Sequence, residues 1–193
     1  MGLYDKMGSV SRVGQDDFLE NSPVGMEIFI NDSAYEMSRW PNRDKYGLSQ
    51  FTTINDVKVQ ANTWELATSV QGEPRWSDGD ELPVLGVNDE AAERINSWKS
   101  VNDVHVLGPV GWEFSECGCE VVQWDKSNKA LTLDYGAEGG YSANGRFYFK
   151  NILEELDTPG EYYLDRAEGK FYIYPKNDDD ISTADIHFSV FND

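Results

Sequence analysis

Apolar and polar residues alternate with a period of two over short stretches of this chain, and Gly, Pro, Asn and Asp separate one stretch from the next. The alternation predicts strands at Met26–Ile30, Ala34–Arg39, Phe51–Val59, Trp64–Val70, Leu82–Leu85, Val104–Leu107, Trp112–Ser115, Glu120–Trp124, Lys129–Tyr135 and Ile186–Phe191. Asn31-Asp32-Ser33 has the chemistry of a hairpin turn. Pro41 ends the second strand, because it cannot donate a ladder hydrogen bond.

The period changes in two places. After Asn88, an N-cap residue, Ala91, Ala92, Ile95 and Trp98 fall on one face of a helix, with Asp89 and Glu90 near its positive end. Phe149, Ile152, Leu153 and Leu156 have helical spacing, and Pro159-Gly160 stops that run. The Glu154-Glu155 pair then falls on a polar, solvated face. Glu161–Leu164 and Lys170–Tyr174 read as a hairpin about the turn Asp165–Gly169. The fold class expected is mainly β: a compact antiparallel β-barrel or sandwich with two short helices. Residues 1–22 would form an N-terminal arm or leading strand and residues 23–193 the β-rich domain. No repeat with a solenoid period occurs.

The 193 residues suffice for one domain with a substantial core, and 39% hydrophobic and 13% aromatic content excludes a disordered chain. The formal net charge is −19, from 16 basic and 35 acidic residues. Nucleic acid and anionic membranes are therefore not expected partners, since both need clustered Lys and Arg; a neutral or cationic partner fits better. No run approaches the roughly 18 apolar residues of a membrane span, and the first residues lack the pattern of an export signal. Cys117 and Cys119 are too close along the chain for an unstrained disulfide. With only His105 and His187 besides, a zinc site lacks ligands.

Candidate chemistry is sparse. Adjacent acids such as Asp16-Asp17 and Glu154-Glu155 are solvated surface in so acidic a chain, whereas a glycosidase needs two carboxyls in unlike environments across a cleft. There is no nucleophile elbow and no phosphate-binding loop. The Asn177–Asp180 turn offers oxygens to calcium, so Asp178, Asp179 and Asp180 are candidate ligands for a structural ion; no other cofactor is expected.

The aromatic inventory says more. Six Trp and ten Tyr are many for a chain of this length, and flat rings stack on the C–H faces of sugars. Trp98, Trp112, Tyr163 and Phe171 read as core. Trp76, in the polar loop Glu73–Asp80, and Tyr141, beside Asn144, read as platforms, together with Trp40 and Trp124, the last facing outward if Val122 faces in. Trp76, Tyr141, Trp40, Trp124 and Asn144 form the candidate carbohydrate-binding set.

The segment Arg146–Pro175, with its Pro-Gly-Glu-Tyr-Tyr-Leu-Asp-Arg and Gly-Lys-Phe-Tyr-Ile-Tyr-Pro runs, resembles one in large extracellular right-handed parallel β-helix enzymes related to glycoside hydrolase family 141. Met26–Asn42, containing Arg39-Trp40-Pro41-Asn42, Arg94–Gly108 and Cys119–Leu133 extend the resemblance in the same order over Met26 to Phe191. In that family such a domain is inserted near the start of the solenoid, whose paired carboxylates do the chemistry. The resemblance implies a non-catalytic accessory domain of a secreted, bacterial carbohydrate-active enzyme. It would contact a polysaccharide or oligosaccharide, pack beside a β-helix catalytic domain, and be extracellular. Two other readings are a purely structural domain packed against the solenoid and, less in keeping with the residues, a hydrolase in its own right. The Trp76 loop and Cys117-Gly118-Cys119 have no counterpart in the resemblance.

Overall fold

A computed structural model describes residues 27–60, 82–114, 116–134, 136–137, 140–176 and 180–188. In chain order the strands are β1 (Ile28–Ile30), β2 (Ser33–Met37), β3 (Arg39–Trp40), β4 (Thr52–Val59), β5 (Val84–Val87), β6 (His105–Gly108), β7 (Cys117–Asp125), β8 (Ala130–Leu133), β9 (Arg146–Lys150), β10 (Glu161–Asp165), β11 (Lys170–Tyr174) and β12 (Ile186–Phe188). Helix α1 (Asp89–Ile95) lies between β5 and β6. The expected arm at residues 1–22 and the strand at 64–70 lie outside the described residues.

Six strands close into an antiparallel barrel in the order β4-β5-β8-β7-β6-β9, with β9 returning to β4. Closure removes the free edges that an open sheet would expose. Phe147 and Phe149 of β9 point inward and are fully buried among Ile54, Leu85, Val121, Leu131 and Leu133. Gly108 sits where β6 comes closest to β9. Its φ is +142°, and a Cβ there would lie 2.6 Å from the Arg146 carbonyl oxygen, so the close approach requires glycine.

Helix α1 covers part of this core as its spacing predicts. Asn88 caps it by accepting from the Ala91 N–H, and Ala91, Ala92, Ile95 and the following Trp98 belong to the barrel cluster.

The other sheet has the order β11-β10-β2-β1-β12. Its β1–β2 hairpin turns through Asn31 and Asp32, both at positive φ (48° and 62°), as a two-residue turn matched to strand twist requires. Its small core is Ile28, Ile30, Tyr35, Met37 and Tyr162. One pairing departs from the antiparallel expectation: β10 runs parallel to β2, with Glu161 opposite Glu36.

Ser38 joins the two sheets. Its hydroxyl donates to the Ile152 carbonyl (2.7 Å) and accepts from the Ile152 N–H (3.0 Å), while its own N–H donates to the Tyr162 carbonyl (2.7 Å).

The second expected helix is corrected. Arg146–Lys150 is a strand, and only Leu153–Glu155 coils, as a single 3-10 turn. Arg-Phe-Tyr-Phe-Lys alternates as a strand should, and Asn151, at φ +63°, breaks the backbone before any helix can start. The expected strand at 112–115 is not one either: Trp112, Glu113 and Phe114 lie in bends and turns.

Candidate functional site

Because Phe147 and Phe149 face the core, Arg146, Tyr148 and Lys150 face outward along β9. They span about 13 Å of strand. Phe51 meets Tyr148 edge to face at 5.8 Å, and the Arg146 guanidinium lies 5.1 Å from the Phe51 ring centre. Arg146 also pairs with Glu113. On either side of Glu113, Trp112 and Phe114 stack on each other, with centroids 5.2 Å apart and planes 28° apart. Phe114 is 78% exposed and Trp112 38%, so this pair forms an aromatic ledge at one end of the row.

At the other end stands the Arg39–Asn42 turn, whose Trp40–Pro41 peptide is cis. Arg39 is 1% exposed, and its guanidinium stacks on Tyr148 at 3.9 Å. It donates to the Pro41 and Gln50 carbonyls (3.0 and 3.1 Å) and to Glu36 (3.3 Å). Arg43 grips the same carboxylate through two hydrogen bonds of 2.6 and 2.9 Å. Burial alone would raise the Glu36 pKa, but the Arg43 hydrogen bond and the charges of Arg39, Arg43 and Lys150 outweigh it and hold Glu36 below its ordinary value. Arg43 also donates to the Gly47 carbonyl, and Asp44 accepts from the N–H groups of Tyr46 and Leu48. The tied loop presents Tyr46, 75% exposed, and Leu48 to solvent.

Glu161, opposite Glu36, titrates in the other direction. Burial, aided by the charges of Asp157 and Glu36, pushes it up to about 7, against the lowering effect of the Thr158 and Asp157 N–H groups that it accepts. Two carboxyls on neighbouring strands thus have separated pKa values. One oxygen of Glu161 is already used to hold the 157–158 backbone.

The residues singled out from sequence are scattered. Tyr141 is 3% exposed, with its hydroxyl 3.2 Å from Cys119 Sγ, so its ring does not reach the surface. Trp40 is half-buried, packs against the barrel core and tilts over Phe149 at 6.2 Å. Trp124 is half-buried with its indole N–H on Asn96 Oδ1 (3.0 Å); Val121 continues the inward alternation of Cys117 and Cys119, which leaves Val122 exposed rather than facing in. Asn144 is an exposed turn residue at φ +69° whose N–H donates to the Ile54 carbonyl. Asp180 accepts from the Ser182 N–H and hydroxyl. Trp76, Asp178 and Asp179 lie outside the described residues.

Two further expectations are corrected. Trp112, read as core, is on the surface ledge, because the Pro109–Gly111 stretch leads the chain out of the barrel rather than into a further strand. Glu155, read as solvated, is fully buried. The outward row on β9 was missed because its alternating residues were assigned to a helix, which would have put Tyr148 and Lys150 on different faces.

No family model matches the sequence, and a search of curated proteins finds no match. Among solved structures, the chain is similar to part of one named "Glycoside hydrolase", with a TM-score of 0.53 at 13% identity over 85% of this chain and 26% of that one. The chain therefore spans about a quarter of that protein's length, and the likeness is one of fold.

Proposed function

We propose that this chain is a non-catalytic accessory module of an extracellular glycoside hydrolase, and that it contributes to polysaccharide binding through the outward row on β9. The observation that carries this reading is the row of rings and charges gathered about β9 from several segments: the Trp112–Phe114 ledge, the Glu113–Arg146 pair, Phe51 with Tyr148, then Arg39 and Lys150. Ring faces suit the apolar faces of pyranoses, and the charged groups between them suit hydroxyls. The fold likeness to a protein named a glycoside hydrolase supports the setting, as does the resemblance to an inserted domain of β-helix enzymes related to family 141. In that setting bond cleavage belongs to a separate β-helix unit.

Affinity gel electrophoresis of the purified chain in a panel of plant and host polysaccharides tests this. Retardation without release of reducing sugar is the expected result. Free migration in every polysaccharide would remove the binding role, and measurable hydrolysis would remove the non-catalytic one.

A second reading has its own support. Tyr46 and Leu48 stand exposed on a loop fastened by Asp44 and Arg43, as a docking knob would be. On that reading the module packs against its catalytic unit, and co-expression with that unit would raise its melting temperature, an effect lost in Tyr46→Ser.

A further inference from the structure

Cross-strand register puts Arg39 of β3, Lys150 of β9 and His105 of β6 in one row on the outside of the barrel. The chain has only 16 Lys and Arg residues against 35 acids, yet Arg39, Arg43 and Lys150 gather here. Arg39 and Arg43 share the Glu36 carboxylate, and His105 bonds Asp103. Lys150 is placed otherwise. It is half-buried, and its ammonium makes no hydrogen bond or ion pair with any described residue; its contact is the Tyr148 ring at 5.7 Å. The Tyr148 hydroxyl likewise has no hydrogen-bond partner among the described residues.

Desolvation, together with repulsion from Arg39 and Arg43, lowers the Lys150 pKa, although Glu36 and Glu116 act the other way. A desolvated ammonium with no hydrogen-bond partner is stabilised more by an anion than by a neutral hydroxyl. Two unused donors, one ammonium and one phenol, match the two oxygens of a carboxylate. Phe51 and the Trp112–Phe114 ledge continue the same row with ring faces, which suits a sugar ring more than an acidic side chain. The overall charge of −19 repels a polyanion at a distance, but beyond about 8 Å physiological salt screens that repulsion and local contacts prevail.

We propose that Lys150 and Tyr148, backed by Arg39, form a subsite for the carboxylate of a uronic acid residue in a polysaccharide. The proposal rests on the reading of the chain as a glycan-binding module and adds the class of glycan.

Calorimetry of the whole chain with oligogalacturonides and oligoglucuronides, and with their methyl esters, separates the two. The acids should bind about tenfold more tightly than the esters, in line with hydrogen bonds to a charged group. Lys150→Met keeps the buried stem and should erase that difference; Lys150→Arg should retain part of it. If Lys150→Met does not fold, Tyr148→Phe, which removes only the O–H, should narrow the difference several-fold. Equal affinity for acid and ester, or an acid preference indifferent to both variants, would overturn the subsite and leave the glycan-binding reading intact. Binding of acidic peptides but not of acidic sugars would overturn it in favour of a protein contact. Failure to bind any glycan, neutral or acidic, would overturn both.

Discussion

Arg94 reaches from the end of α1 to the buried carboxylate of Glu155 and donates two hydrogen bonds to it, of 2.6 and 2.5 Å. The indole N–H of Trp98 donates to the same carboxylate at 2.5 Å. Glu155 thereby fastens the helix to the 3-10 turn that leads from β9 into β10, and both of its oxygens are satisfied although the residue is 0% exposed.

Replacing Glu155 with Ala leaves the Trp98 N–H without an acceptor and Arg94 with only the Asp157 carboxylate, 3.7 Å away, and opens a cavity. Arg94, at 41% exposure, can turn to water, so the orphaned indole N–H and the cavity carry the cost, about 2 kcal/mol or more. Glu155→Ala should therefore lower the urea midpoint sharply with an unchanged slope, and Glu154→Ala, at the exposed neighbouring position, should be close to neutral. Equal effects at the two positions would mean that the helix does not depend on this carboxylate.

Glu161 gives the fold a pH dependence of a sign opposite to that of most acids. Its folded pKa, about 7, lies above the unfolded value, so the folded state binds the extra proton. Its contribution is complete below about pH 4 and is lost as pH rises through 7. Glu161→Gln, which keeps an acceptor for the Thr158 N–H, should be more stable than the parent at pH 8, by up to roughly 3 kcal/mol, and about equal at pH 4. Urea unfolding of both proteins at the two pH values checks this; parallel pH profiles would contradict it.

Gly108→Ala places a methyl group 2.6 Å from the Arg146 carbonyl oxygen and 2.9 Å from the Phe147 Cα, both backbone atoms that cannot turn aside. The barrel must open at β6–β9 or strain, and a loss of a few kcal/mol is expected. Amide exchange should then rise at Val106, Leu107 and Phe149 before it rises in the β10–β11 hairpin. Uniform acceleration would instead indicate that the barrel and the second sheet unfold as one unit.

Phe149 touches both Trp98 and Phe147 edge to face, at 5.0 and 5.2 Å, inside the barrel. Phe149→Ala should cost about 3–5 kcal/mol, more than Phe114→Ala on the exposed ledge, which should leave stability almost unchanged. Thermal unfolding of both variants measures the contrast. An equal loss at Phe114 would show that the ledge supports the fold rather than facing solvent.

Local chemistry was enough to read much of this molecule. Strands alternate because opposite faces of a sheet meet different media, so Thr52–Val59, Glu161–Asp165 and Lys170–Tyr174 announce themselves, as does the Asn88 cap of α1. The Asn31-Asp32 turn is equally local, since only a few residues tolerate two successive positive φ angles. Exposure is not local. Whether Trp112 or Tyr141 meets water depends on which strands close the barrel around each. The same holds for Glu155, charged and yet interior because Arg94, 61 residues away, arrives to pair with it. Arg146–Lys150 fits helical spacing when read forward into Leu156, and only pairing with β4, β6 and β3 selects the strand that aligns Arg146, Tyr148 and Lys150 on one side. Residue order determined most of the strands, helix α1 and the hairpin turns. Tertiary structure alone decided which rings and charges share a surface, because long-range pairing is what assigns each side chain to core or solvent.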